Sequence, residues 1–317
     1  MCITVYPLSV EYPVDYSIHL FVERMSDLIH SICYPGMVKE IVIENESALS
    51  SGPFRLGVVI PTFNRPEYLK YIMYALSQSD LSSCRIAFLF FDDTSAEDTV
   101  QLIRDFKLGS IPIIKIFTNR IDLVHQSTYT VLPGSAFPFT IRYGCDILFQ
   151  LGCEYVMNSD SDAMVCHDWL RIVNTTLEKI KDKYFILSGF RCQDTYHKVL
   201  SDGPDYDILS SLGGISMIFN KDTFYDVMKE SIHDYTFDWI ISDTCKRYNY
   251  PIYLTKPSIV QHIGIHSSII RGSNNALAEC YKYTQEELTV DKLRDLSNAV
   301  KVVPNFPFSA DYRWLPV

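Results

Sequence analysis

Two aspartates separated by a single serine carry the clearest chemical signal in the sequence. Asp160 and Asp162 flank Ser161, and the triplet follows the apolar run at 155–157. Two carboxylates at this spacing in a turn can address one divalent cation, because Mg²⁺ and Mn²⁺ take oxygen ligands and keep positions open for phosphate oxygens. A solvated surface turn is the alternative, but the position at the end of a buried strand favours the metal-binding interpretation.

A histidine about one hundred residues later is the next candidate ligand. His262 lies in the segment 261–266, which we expect to be a loop. A neutral imidazole beside carboxylates would favour Mn²⁺ over Mg²⁺. An ordinary hydrogen-bonded histidine is the alternative interpretation, and His266 competes for the same role.

An acid at the start of a helix and a pair of glycines complete the set of candidate residues. Asp238 directly precedes Trp239, and a carboxylate at this position could act as a general base. A helix-capping aspartate is the alternative, and Asp243 on the same helix is a second candidate for the base. Gly213 and Gly214 would let a substrate approach the backbone, although a tight turn explains them equally well.

The elements that must position these residues alternate between apolar strands and amphipathic helices. Apolar runs predict strands, and apolar residues at helical spacing predict helices. The strands are expected at 56–60, 86–91, 111–117, 155–157, 184–187 and 215–219, and the helices near 66–76, 100–106, 141–151, 169–180, 221–230 and 239–248. The alternation predicts an α/β fold with a doubly wound, mostly parallel sheet flanked by helices.

Polar residues follow three of these strands, at the point where each strand ends. They are Thr62, Asn64 and Arg65 after the first strand, Asp92 and Asp93 after the second, and Asp160 and Asp162 after the fourth. In open α/β sheets ligands bind outside the carboxyl ends of the strands. We therefore expect the three clusters to meet along one edge of the sheet.

The chain divides by pattern into an N-terminal extension, a main body and a tail. The extension has an amphipathic helix at 18–32, a short strand at 38–43 and a linker at 46–53. A long polar loop is expected at 191–209. The expected boundaries are 1–53 for the extension, 54–270 for the main body with halves 54–162 and 163–270, and 271–317 for a tail in which Arg271 could belong to a lid.

Composition narrows the possible functions. The 317 residues have 28 Lys and Arg against 38 Asp and Glu, so the formal charge of −10 disfavours nucleic acid as a partner.

Nine Cys occur without a C-x-x-C pair, which favours free thiols over a disulfide framework or a zinc site. The sequence shows neither a signal peptide nor a membrane span, from which we expect a cytoplasmic protein.

The order of these motifs resembles that of the GT-A-fold, family-2-like glycosyltransferases, which use nucleotide sugars. The matching segments are Gly57 to Pro66, Phe91 to Ser95, Asp160 to Asp162, Gly213-Gly214, Phe237-Asp238 and His262. Each motif is weak alone, but their shared order over roughly residues 54–270 is fairly specific. The chain departs from the family in having Phe237 where an acid is common.

The resemblance implies a metal-dependent, inverting transfer of a sugar from a UDP-sugar to a hydroxyl of a glycan acceptor. Asp162 and His262 would bind Mn²⁺ or Mg²⁺, Asp160 would bind the ribose or the metal through water, and Asp238 would be the base. The donor would further contact Pro61, Thr62, Asn64, Arg65, Asp92, Asp93, Ser161, Gly213 and Gly214, with Asp93 accepting from the uracil imide. The transferred sugar, the uridine or guanosine base, the acceptor and the oligomeric state stay open.

A narrower likeness and two alternatives also follow from the motifs. The segment 256–268 resembles the tail motif of the N-acetylglucosaminyltransferases that branch N-glycans, although those carry Glu-Asp-Asp where this chain has Asp160-Ser161-Asp162. A haloacid-dehalogenase-like phosphohydrolase would use Asp160 as its nucleophile, but Met164 stands where Thr or Val is expected. A non-catalytic glycan-binding protein could keep the same fold.

Overall fold

The computed structural model describes residues 14–33, 36–119, 136–191, 197–231 and 237–262. The helices in these ranges are α1 Val14–Ile32, α2 Glu46–Leu49, α3 Pro66–Gln78, α4 Glu97–Asp105, α5 Ala136–Gln150, α6 Trp169–Lys179, α7 Lys221–Ser231 and α8 Phe237–Tyr248. The strands are β1 Val38–Glu44, β2 Phe54–Thr62, β3 Ile86–Asp92, β4 Ile113–Thr118, β5 Cys153–Asn158, β6 Ala163–Val165, β7 Ile186–Ser188, β8 Val199–Asp202, β9 Tyr206–Leu209, β10 Met217–Asn220, β11 Ile252–Thr255 and β12 Val260–His262. None of the described helices is both long and apolar enough to cross a membrane.

A ten-stranded sheet in the described part of the chain has the order β1-β4-β3-β2-β5-β10-β7-β11-β9-β8. Strands β4, β3, β2 and β5 are parallel neighbours, as expected for strands joined by crossover helices. The second half is mixed, because β10 runs antiparallel to both β5 and β7. Strands β6 and β12 form a separate antiparallel pair.

Both faces of the sheet are covered by helices, so the prediction of a doubly wound α/β fold is confirmed. Along β2 the side chains alternate: Val58 and Ile60 belong to the core on the face covered by α3, α4 and α6, whereas Val59 belongs to the core on the face covered by α1, α5, α7 and α8. This alternation follows from the two-residue period of a strand. Because both faces are buried, the central strands are continuous apolar runs, which is why the sequence identifies them.

The N-terminal segment joins the same sheet and the same core. Strand β1 pairs antiparallel with β4, and the helix before it buries Met25 and Ile29 against the sheet. Glu44, at the end of β1, accepts a 2.9 Å hydrogen bond from the ammonium of Lys115, whose side chain is fully buried in β4. The Arg104 carbonyl accepts a second bond from that ammonium at 2.7 Å. These contacts fasten the segment to the edge of the sheet.

Three local predictions were wrong. The expected linker at 46–53 contains the one-turn helix α2. The expected polar loop at 191–209 contains the β8–β9 hairpin, in which Asp207 takes an inward position and masks the apolar alternation. The expected loop beginning at Gln261 starts instead with β12, which is too short for its periodicity to be recognised. Strand β6 was not predicted.

The free thiols expected from the cysteine pattern are present in the described residues. Cys33, Cys145, Cys153, Cys166 and Cys245 are buried, and Cys84 is half-buried, with none of the six in a disulfide. The competing His266 and the lid residue Arg271 lie outside the described residues.

Candidate active site

The ends of β2 and β3 are joined by buried polar contacts. The Thr62 hydroxyl donates a 3.1 Å hydrogen bond to Oδ1 of Asp92, and the Ser95 amide donates to Oδ2 at 3.0 Å. The Asp93 amide donates to the Thr62 carbonyl at 2.9 Å. Burial raises the pKa of the Asp92 carboxyl. Asp92 therefore shapes the turn, while Asp93 is the buried acid placed just beyond the strand end.

Asn64 ties the loop after β2 to the loop after β3. Its backbone adopts the left-handed conformation, with φ of 46°, which asparagine tolerates better than most residues. Its amide N–H donates to the Ser95 hydroxyl at 2.9 Å, and its side-chain oxygen accepts from the Ala96 amide at 2.6 Å. Pro61 lies buried in β2 opposite Phe91. These contacts bring the first two predicted clusters together.

Asp162 lies between a guanidinium and an imidazole. Arg65 forms an ion pair with its Oδ2 atom, and His262 Nε2 lies 3.1 Å from Oδ1. Burial alone would raise the pKa of Asp162, but the electrostatic and hydrogen-bond interactions with His262 and Arg65 outweigh burial and lower it far below its usual range. The β6–β12 ladder sets this geometry, because His262 pairs in register with Ala163. The predicted partnership of Asp162 and His262 thus exists as a contact.

The second aspartate of the pair has the opposite electrostatics. Desolvation, together with the negative charge of Asp162, raises the pKa of Asp160 well above its usual range. The Asn158 amide lies 3.5 Å from Oδ1 of Asp160. Ser161 is buried between the two acids. One acid is therefore held as an anion by its neighbours, whereas the other resists ionisation.

A single glycine links these acids to the candidate base. The Gly214 carbonyl accepts a 2.7 Å hydrogen bond from the Asn158 amide, and the Gly214 N–H donates to Oδ2 of Asp238 at 3.1 Å. The Trp239 N–H donates to Oδ1 of Asp238 at 2.9 Å. Burial raises the pKa of Asp238, which makes its carboxylate a better proton acceptor.

The two adjacent glycines differ in how closely they are packed. A Cβ on Gly214 would lie 2.8 Å from Cζ of the Phe237 ring, whereas one on Gly213 would meet only His197 Nε2 at 3.9 Å. The close approach of Gly214 to α8 therefore requires a residue without a side chain.

The alternative base lies elsewhere on α8. Asp243 is exposed on that helix, one and a half turns beyond Asp238. Of the two acids, only Asp238 contacts Gly214 and influences the charge of Asp160. The structure therefore places Asp238 beside the acid pair.

Asp162 and His262 have donor atoms that suit a divalent cation. Ligands about 2.1 Å from an octahedral ion and at right angles to each other are about 3 Å apart, and Asp162 Oδ1 and His262 Nε2 are separated by 3.1 Å. Among the described residues no group of three His, Cys, Asp or Glu side chains has metal-binding geometry. The two donors fit a cation only if the Arg65 guanidinium shares Asp162 with it or moves away.

Two features of the site were not predicted from the sequence. Asn158 is fully buried and holds both the Gly214 carbonyl and, at 2.9 Å, the Met217 amide. A polar residue closing an apolar strand immediately before the acid pair was the available signal. The ion pair of Arg65 with Asp162 joins residues that are almost a hundred positions apart, and no local pattern indicates it.

No protein-family model matches the chain, and a comparison with curated proteins gives no significant match. Among solved structures, similarity is found to TarS of S. aureus in complex with UDP-GlcNAc, with 14% identity, a TM-score of 0.44, and coverage of 81% of this chain and 74% of that chain. The mannosyltransferase PcManGT from Pyrobaculum calidifontis, in complex with GDP-Man and Mn²⁺, has 10% identity, a TM-score of 0.43, and coverage of 92% and 79%.

A longer TarS chain is similar over 80% of this chain but 44% of its own length, so this chain spans less than half of it. TarS and PcManGT were both solved with a nucleotide sugar. At these identities and TM-scores the similarity identifies no activity.

Proposed function

We propose that the chain is a glycosyltransferase that moves a sugar from a UDP-sugar to a hydroxyl of a glycan acceptor, with inversion at the anomeric carbon. One observation carries the proposal: the acids after β5, the histidine of β12 and the acid at the start of α8 converge although about one hundred residues separate the first of them from the last. The nucleotide-sugar glycosyltransferase motifs of the sequence predict this same convergence.

The donor would lie across the carboxyl ends of β2, β3 and β5. Asp93 would accept the uracil imide proton, and the loop fixed by Asn64 would follow the nucleotide. When the Arg65 guanidinium separates from Asp162, its positive charge would be available to bind the diphosphate. Gly213 and Gly214 would let the transferred sugar pass close to the backbone.

A divalent cation would be held by Asp162 and His262, with Asp160 contributing through water. When bound, such a cation neutralises negative charge on the departing diphosphate. The contribution of this chain is a carboxylate that stays ionised, because Arg65 and His262 lower the pKa of Asp162. Mn²⁺ suits a mixed oxygen and nitrogen donor set better than Mg²⁺ does.

Asp238 would remove the proton from the acceptor hydroxyl as that oxygen attacks the anomeric carbon. Two backbone N–H groups, from Gly214 and Trp239, hold its carboxylate, and the negative charge of that carboxylate acts on Asp160. A single displacement from the face opposite the leaving diphosphate inverts the configuration. A positioned base of this kind contributes about 10²–10⁴ in rate.

Calorimetric titration with UDP and with GDP, each with and without Mn²⁺, tests the proposal. We expect UDP to bind with Mn²⁺ and to bind at least about tenfold more weakly to Asp162→Ala. Asp243→Asn, an exposed change on α8, is the control and should bind like the wild type. Glycan binding without any nucleotide binding would favour the glycan-binding alternative. A phosphoenzyme trapped on Asp160 would favour the phosphohydrolase.

A further inference from the structure

An exposed tryptophan lies directly beside the candidate base. Trp239 follows Asp238 in the first turn of α8, and 42% of its surface is accessible. Most large hydrophobic side chains in the described residues are buried, so an exposed indole next to a reactive group is informative. The exposed indole and the candidate base are therefore neighbours in the first turn of α8.

The indole is held in place rather than loosely extended. Its ring stacks on the imidazole of His197, with centroids 5.3 Å apart and planes inclined by 26°. His197 Nδ1 lies 2.8 Å from the Ser211 hydroxyl, which fixes the imidazole in turn. His197 also lines a small, tightly packed pocket together with Phe190, Arg191, Leu209, Leu212 and Gly213. A preformed aromatic surface costs little conformational entropy when a ligand binds.

The loop before β10 couples this surface to the base. The Leu212 N–H donates to the Ser242 hydroxyl at 3.1 Å, and that hydroxyl donates to the Asp238 carbonyl at 2.8 Å. The Gly214 N–H holds the Asp238 carboxylate, as described above. The aromatic pair and the base are thus fixed relative to one another by α8.

We infer that Trp239, supported by His197, is the binding surface for a neutral sugar ring of the acceptor; the inference rests on the proposed function. An aromatic side chain combines a large apolar face with a polar edge, which suits the C–H face and hydroxyls of a sugar. The net charge of −10 disfavours an anionic acceptor. The surface therefore selects carbohydrate over acidic peptide or phospholipid.

The test measures Kd values by NMR titration with the p-nitrophenyl glycosides of glucose, galactose, mannose and N-acetylglucosamine, in the presence of UDP and Mn²⁺. We expect at least one glycoside to bind the wild type and to bind Trp239→Ala about tenfold or more weakly. Trp239→Phe should retain part of the affinity, because a ring remains. Tyr248→Ala removes an exposed aromatic from the other end of α8 and should leave glycoside binding unchanged.

The outcomes separate this inference from the proposed function. UDP binding without any glycoside binding to the wild type, or unchanged glycoside binding in Trp239→Ala, would overturn the acceptor surface alone. If the wild type does not bind UDP, the proposed function itself is overturned. An equal loss in Trp239→Ala and Tyr248→Ala would show that the effect is one of helix stability, and would also reject the inference.

Discussion

Asp160 and Asp162 are separated by one residue, yet their surroundings move their pKa values in opposite directions. Asp162 contacts two positively charged or polarisable partners, Arg65 and His262, whereas Asp160 meets a desolvated environment and other carboxylates. Opposed environments of this kind are typical of sites in which two acids have different roles. The pair can offer one firm anionic ligand and one acid whose charge depends on what binds nearby.

Asp160→Asn should stabilise the metal-free protein at neutral pH. Because folding raises the pKa of Asp160, the folded state binds the proton more tightly than the unfolded state does. The stability of the wild type therefore falls as pH rises from the unfolded pKa, about 3.9, towards the folded one, by at most about 1.4 kcal/mol per pH unit. Asp160→Asn has no carboxyl group to ionise at this position, so its stability does not fall with pH for this reason.

Urea unfolding in EDTA at pH 4 and pH 7.5 measures this difference. The free energy of unfolding of Asp160→Asn relative to wild type should increase between the two pH values, whereas exposed Asp243→Asn should track the wild type. If the free energies of unfolding of Asp160→Asn and wild type differ by the same amount at both pH values, the pKa of Asp160 is not raised by folding.

Asp238→Asn should abolish sugar transfer while leaving nucleotide binding intact. The amide cannot take a proton from the acceptor, so the transfer rate should fall by about 10²–10⁴. Asp238 lies on α8 and not at the strand ends where the nucleotide would bind. Transfer assays paired with UDP titration measure both effects, with Asp243→Asn as the matched change. Impaired transfer in Asp243→Asn alone would reassign the base.

At the scale of elements, helices and central strands could be predicted because one physical pattern determines each of them. Strands β2 and β3 are buried on both faces, so their apolar runs mark them in the sequence. Helix α3 begins at Pro66, a residue that favours the first position of a helix. The β8–β9 hairpin could not be predicted, because the buried Asp207 is compensated by Lys256, 3.0 Å away, and by Arg191, 3.5 Å away, and Lys256 is distant in sequence. Pairings of this kind exist only in the folded chain.

The same limit applies to the site. The acids after the strands could be assigned to one edge from topology alone, since parallel strands end on the same side. The Arg65–Asp162 ion pair and the Asn158–Gly214–Asp238 connection depend on how the segments after β2 and β5, the loop before β10 and helix α8 pack together. Sequence spacing contains no information on those contacts.

The loop before β10 provides a test at the scale of elements. Gly214→Ala places a methyl group 2.8 Å from the Phe237 ring, so either the loop or α8 must shift. We expect a loss of about 1–3 kcal/mol in the free energy of unfolding, as for overpacking of a well-packed site. Gly213→Ala has no contact closer than 3.9 Å and is the matched control. Thermal unfolding of both variants measures the difference. Equal stabilities would show that Gly214 is not tightly packed against the Phe237 ring.

At the scale of the whole molecule, the N-terminal segment and the main body share one hydrophobic core. Ile29 of α1 is fully buried with Val59 of β2 and Leu89 of β3. Strand β1 also covers an edge of the sheet that would otherwise expose unpaired backbone groups. The described residues 14–33 and 36–53 of the expected extension thus contribute structure to the body that holds the site.

Ile29→Ala should therefore destabilise the entire molecule, by about 2–5 kcal/mol, because it leaves a cavity under the central strands. All three tryptophans, Trp169, Trp239 and Trp314, lie outside residues 1–53, so their fluorescence reports unfolding of the remaining chain. In urea the fluorescence midpoint should fall together with the far-UV circular dichroism midpoint, as one cooperative unit requires. The neighbouring exposed change His30→Ala should shift neither. A fluorescence midpoint that stays at the wild-type value in Ile29→Ala would mean that α1 unfolds independently of the sheet.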